Sequence, residues 1–167
     1  DLVRSRGLGD VYKRQFYTAQ PERWLESLLL RRVGVLSGEL HPGHVYSQVP
    51  AVAGRERGVI DLLGVTRSGR LAVMELKVAA DPNLPLQALD YWMRVKWHLE
   101  RGEFQRLGYF PGIQLRSDPP WLWLVAPAYE FHPLTDVVLR YLSPEVPIRR
   151  FGLNETWREA IQVVYRG

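Results

Sequence analysis

Two apolar runs of strand length, residues 59–65 and 71–78, flank the segment Thr66-Arg67-Ser68-Gly69-Arg70. Gly69 supplies a position for positive φ, so the pattern predicts an antiparallel hairpin. Upstream, Leu25, Leu28, Leu29 and Val33 recur at helical spacing and predict a helix over 21–36, followed by a strand over 45–52. Pro50 cannot donate to a ladder and places that strand at an edge or an end. Downstream, Pro85 suits a first helical turn and Gly102 the position just past a last one, with Leu86, Leu89, Trp92, Met93 and Val95 as the packing residues. The unbroken apolar run 121–126 predicts a strand buried on both faces. Residues 133–142 carry Leu134, Val137, Val138, Tyr141 and Leu142 at the spacing of a packed helix, and 146–153 reads as a further strand. Residues 156–166 read as a short helical turn followed by a strand through Ile161, Val163 and Tyr165.

Three charged side chains interrupt the hairpin: Asp61 in its first strand, Glu75 and Lys77 in its second. Alternation puts Glu75 and Lys77 on one face and Leu76 on the other. Asp61 comes beside Glu75 if the register brings the two positions together. Two adjacent carboxylates repel, and a bound cation relieves them. Oxygen ligands without Cys or His beside them suit Mg²⁺ or Mn²⁺ rather than Zn²⁺. Asp61 and Glu75 are therefore the expected metal ligands, and Lys77 is placed to orient a water or offset developing negative charge. A lone Glu-x-Lys is common on solvated strand faces. Here Val73, Met74, Leu76 and Val78 mark a buried strand, where a charge pair needs a reason.

The order of an acidic residue, a strand ending E-x-K and a helix carrying Q-x-x-x-Y resembles the PD-(D/E)xK nuclease superfamily. Thirteen residues separate Asp61 from Glu75, nine separate Lys77 from Gln87, and Tyr91 follows Gln87 by one helical turn. The resemblance runs from about residue 21 to residue 95 and looks nearest to the RecB-type and archaeal repair-endonuclease branches. Ile60, where the superfamily pattern has Pro, is a departure it tolerates. The resemblance implies an α/β fold with a restriction-endonuclease-like core: a central mixed sheet flanked by helices, in the order αβββαβ. It also implies a catalytic set of Asp61, Glu75, Lys77, Gln87 and Tyr91, joined by a Glu on the helix before the strands. Glu22 and Glu26 both qualify, with Glu26 preferred.

Gln87, Tyr91, Arg94 and His98 share one face of the site helix. Beyond it, residues 101–120 lack a regular pattern and interleave Arg101, Arg106 and Arg116 with Phe104, Tyr109 and Phe110. Arg94, Arg101 and Arg106 are the nucleic-acid-binding candidates. The competing expectation for this stretch is a surface loop that packs its aromatics on the domain. His41-Pro42-Gly43-His44 reads as a turn rather than a zinc pair, and Trp121, Trp123 and Trp157 as core or interface aromatics.

Charge adds little. The chain carries 22 Lys and Arg against 18 Asp and Glu. Residues 1–15 resemble a translated sequencing-adapter read-through of the kind found at the ends of metagenomic contigs; without them 18 basic and 16 acidic residues remain. Residues 16–167 are then expected to form a single domain, with room for an upstream domain beyond the lost native terminus. No run of about twenty apolar residues suggests a membrane span. The absence of cysteine excludes a disulfide framework and thiolate metal sites and fits a reducing cytoplasm. No phosphate-binding Gly-rich loop occurs. The expected function is Mg²⁺-dependent hydrolysis of phosphodiesters, with DNA as the expected partner. The alternative is a non-catalytic module on the same fold that binds nucleic acid or protein. The sequence leaves DNA against RNA, and a homodimer, open.

Overall fold

The predicted hairpin forms β2 (Glu56–Thr66) and β3 (Leu71–Leu76), paired antiparallel with Leu62 opposite Met74 and Val65 opposite Leu71. Gly69 closes the turn at φ 90°, and a Cβ there would lie 2.2 Å from the Gln114 carbonyl oxygen, so only glycine fits. The computed structural model describes residues 18–53 and 56–167; the tail expected at 1–15 lies outside them. Around the hairpin run α1 (Pro21–Arg31), β1 (Leu40–Ala53), α2 (Leu84–Glu100), a single turn α3 (Glu103–Arg106), β4 (Trp121–Pro127), α4 (Pro133–Tyr141), β5 (Ile148–Leu153) and β6 (Val163–Arg166).

The six strands form one sheet in sequence order. β1, β2 and β3 pair antiparallel, β3, β4 and β5 pair parallel, and β6 returns antiparallel to β5. A parallel neighbour requires a crossover, and α2 and α4 supply the two that are needed. The fold is thus α/β, with a mixed sheet flanked by helices. Strand alternation divides its core. Leu62, Met74, Leu76, Trp123 and Val125 meet Leu25 and Leu29 of α1 together with Trp157. Leu63, Val65, Leu71, Val73, Leu122 and Leu124 meet Leu84, Ala88, Trp92 and Val95 of α2. Every residue of β3 is buried, Glu75 included, as the apolar residues around it predict.

Several expectations need correction. The first helix stops at Arg31 and gives way to a 3₁₀ turn at Val33–Val35. The His41-Pro42-Gly43-His44 stretch lies within β1, where the register slips between Leu40 and Val45, instead of forming a connecting turn. Pro50 pairs with Val59 on the outermost strand, where its missing N–H costs no ladder bond. Leu86 and Met93 of α2 are about half exposed, and Ala88 with the indole of Trp92 fills the interface instead. On α4, Leu134, Val137 and Tyr141 all face outward and only Thr135 is buried, so helical spacing there does not mark a packed face. The irregular stretch after α2 buries Phe104 and Phe110 against Tyr46 and Tyr109, as the aromatic-packing expectation has it.

Candidate functional site

The hairpin register that pairs Leu62 with Met74 carries Asp61 opposite Glu75. Asp61 Oδ2 accepts a hydrogen bond from the Leu76 backbone N–H at 2.8 Å. Two carboxyls at facing positions disfavour each other's charge, and the surroundings add to it. Burial pushes the Glu75 carboxyl up to about 9, helped by the Asp61 charge and opposed by Lys77. Burial also raises Asp61, to about 6, against the stabilising Leu76 N–H. Glu75 is 2% exposed, and its Oε2 is buried without a hydrogen-bond partner. A buried, unpartnered carboxylate oxygen is costly unless something positive meets it.

Lys77 follows the end of β3; its backbone N–H donates to the Val125 carbonyl at 3.0 Å, which extends the parallel ladder by one residue. Its ammonium lies 3.6 Å from Asp81, a long contact, and its charge reaches both Asp61 and Glu75. The first helix contributes a third carboxylate. Glu26 is 7% exposed, whereas Glu22 is exposed. The charges of both raise Asp61, and that of Glu22 also raises Glu75. Glu26 is itself raised by burial, against hydrogen bonds from Gln48 and Ser47 and the charge of Arg23. The Gln48 Nε2 donates to Glu26 Oε2 at 2.5 Å. Sequence reasoning missed Gln48. The only local signal is a pair of polar residues, Ser47 and Gln48, set in an otherwise apolar strand.

On α2, the Gln87 amide donates to the Tyr91 hydroxyl over a long 3.4 Å. The Tyr91 ring occupies the space that Gly58 leaves open on β2: a Cβ at Gly58 would stand 2.4 Å from Tyr91 Cε1. Gly58→Ala is therefore expected to expel the ring and destabilise the protein by about 1–3 kcal/mol, the usual cost of overpacking. Urea unfolding checks this, and Gly58→Ala combined with Tyr91→Ala should lose less than the two single costs added together.

Arg94, expected to meet nucleic acid, is 8% exposed. Its guanidinium donates to the Ala51 carbonyl at 3.0 Å and pairs with Asp90 at 2.9 Å, so it joins α2 to β1 and presents little charge outward. His98 is paired with Glu103. Arg101 and Arg106 do remain on the surface, where Arg101 lies over the Trp97 ring at 3.6 Å and Arg106 donates to the Arg101 carbonyl at 3.4 Å.

Among the described residues, no group of three or more His, Cys, Asp or Glu side chains is arranged to hold a metal ion. The Asp61 and Glu75 pair offers two carboxylates at facing positions, and the burial of Glu75 and its orphaned Oε2 suit a hard divalent cation. Mg²⁺ normally retains several waters and takes one or two carboxylates from the protein, which is what this pair can give. No helix among the described residues is long and apolar enough to cross a membrane.

No family model matches the chain, and no curated protein matches it. Among solved structures it is similar to a repair endonuclease from Pyrococcus abyssi, with a TM-score of 0.52 and 19% identity over 78% of this chain and 46% of that one. An EndoMS–dsDNA2 complex gives a TM-score of 0.44 and 17% identity over 78% of this chain and 44% of that one. The chain spans less than half the length of either. The first likeness places the α/β fold in the restriction-endonuclease-like class.

Proposed function

We propose that this chain is a Mg²⁺-dependent nuclease of the PD-(D/E)xK type that hydrolyses phosphodiester bonds of DNA. The observation that carries the reading is the pair of Asp61 and Glu75, set at facing positions of the hairpin with Glu75 Oε2 buried and unpartnered, at the strand end where Lys77 follows. Asp61 and Glu75 would hold Mg²⁺ or Mn²⁺. Such a cation, when bound, polarises a phosphoryl oxygen and acidifies water. The Leu76 N–H fixes one Asp61 oxygen and so limits the directions in which that carboxylate can present its lone pairs. Lys77 leaves its loose contact with Asp81 to orient the attacking water and to offset charge that builds on the phosphate. In this reading Gln87 and Tyr91 of α2 complete the catalytic set.

The preference for DNA draws on the endonucleases that share the fold. Arg101 and Arg106, both exposed, serve as phosphate contacts in this reading. Labelled single-stranded, duplex and flapped DNA, with RNA alongside, tests the proposal. Cleavage of DNA is expected with Mg²⁺ or Mn²⁺ and none with EDTA. Absence of cleavage of every substrate, with nucleic-acid binding indifferent to Glu75→Gln, would assign the chain to the non-catalytic binding modules.

A further inference from the structure

Gln48 has a backbone that its residue type does not favour. Its φ is 53°, and among the described residues only Phe110 shares a positive φ without being glycine. Phe110 has a local explanation, since its ring is buried and its N–H donates to the Tyr46 hydroxyl at 3.1 Å. Gln48 lies in a strand, where positive φ is costly for a residue with a side chain. Ser47 pairs with Leu62 and Val49 with Ile60, so Gln48 stands across from Asp61.

The conformation has a geometric consequence. Successive side chains of a regular strand point to opposite faces, so Ser47 and Gln48 would normally diverge. Here the Gln48 amide reaches Glu26, on a helix 22 residues earlier, and Ser47 also bears on that carboxyl. The turned backbone at Gln48 is what brings its side chain to the group its neighbour faces. Glycine would adopt this φ without strain but could not make the 2.5 Å bond to Glu26.

We infer that Gln48 is a positioning residue for the carboxylate pair: it clamps Glu26 so that its charge bears on Asp61 from the α1 side. This rests on the metal reading of Asp61 and Glu75. Glu26 would then act outside the direct ligands, where it could accept hydrogen bonds from water that hydrates a bound cation, as outer-shell carboxylates do.

The test measures Mn²⁺ affinity by calorimetry and Tm on the metal-free protein, for the wild type, Gln48→Gly, Gln48→Asn, Glu26→Gln and the Glu26→Gln/Gln48→Gly double variant. Gln48→Gly should weaken Mn²⁺ binding by about 10-fold or more while leaving Tm equal to the wild type or higher, because glycine removes the strain. Gln48→Asn tolerates positive φ but is one methylene short of Glu26, and should lose affinity without a fall in Tm. The double variant should bind no more weakly than Glu26→Gln alone, because both changes remove the same clamp. Affinity within twofold of wild type in Gln48→Gly overturns the inference and leaves the metal reading standing. A fall in Tm that accompanies the loss in both Gln48 variants also overturns it and makes Gln48 a fold residue. A wild type that binds no Mn²⁺ overturns the metal reading, and this inference with it.

Discussion

Glu75→Gln is expected to reduce DNA cleavage by about 10³-fold or more, and Lys77→Ala by roughly 10²–10³-fold, the range in which loss of a single group that stabilises transition-state charge falls. The two variants should differ in metal binding. Glutamine keeps the shape of Glu75 but removes the charge that makes it a ligand, so Mn²⁺ affinity should collapse with activity. Lys77→Ala removes no oxygen ligand and should bind Mn²⁺ at least as well as the wild type, since a nearby positive charge is gone. Single-turnover cleavage measured beside calorimetric Mn²⁺ binding separates the cases. Glu75→Gln should also fold: its amide is neutral, as burial makes the Glu75 carboxyl, and it can donate to Asp61. If Glu75→Gln retains substantial cleavage, Glu75 is not a metal ligand and the catalytic reading fails.

The metal-free protein should lose stability as pH rises, against the usual behaviour of carboxylates. Asp61 is raised from 3.8 to about 6 and Glu75 from 4.5 to about 9. In the unfolded chain both carboxyls lose their protons near pH 4, while the folded protein keeps them until about 6 and 9. Between those limits the folded state binds more protons, so this contribution is complete below about pH 4 and is lost as pH rises through the folded values. The loss is on the order of several kcal/mol by about pH 9, or roughly 10 °C in Tm for a domain of this size. Thermal unfolding in EDTA from pH 5 to 9 measures it. A divalent cation competes with the protons on these carboxyls, so Mn²⁺ should raise Tm more at pH 8 than at pH 5. Glu75→Gln should flatten both dependences. A wild-type Tm in EDTA that rises steadily across this range would show that the pair is ionised and stabilised by the fold without metal.

The periodicity of the chain carries the element order because it is a local property. Residues 71–76 are apolar but for Glu75, and a strand that is buried on both faces needs that composition, so β3 was legible together with the Glu75 that breaks its pattern and the Lys77 that follows it. Asp61 was legible for the same reason, as one polar residue in the partner run. Proline and glycine marked the bounds of α2: Pro85 lies in its first turn, and Gly102, at φ 64°, follows its end.

Which neighbour each face would meet was not legible. Arg94 and Leu86 look on paper like a solvated cation and a packing residue, yet Arg94 is buried against the Ala51 carbonyl and Leu86 is 53% exposed. Helical spacing states that residues share a face, and only docking states whether that face is covered; α4, with Leu134, Val137 and Tyr141 outward, has the spacing without the cover.

By itself the sequence determined a βαβ-containing fold around a hairpin with two carboxylates and a lysine, because alternation, turn residues and helix ends act within a few positions of the chain. The tertiary structure alone decided the register that sets Asp61 against Glu75, the burial that raises both carboxyls, and the turned Gln48 that binds Glu26 across 22 residues. Register, desolvation and a disfavoured φ each depend on atoms distant in sequence, whose combined packing and hydrogen bonding offset a local cost that no local pattern records.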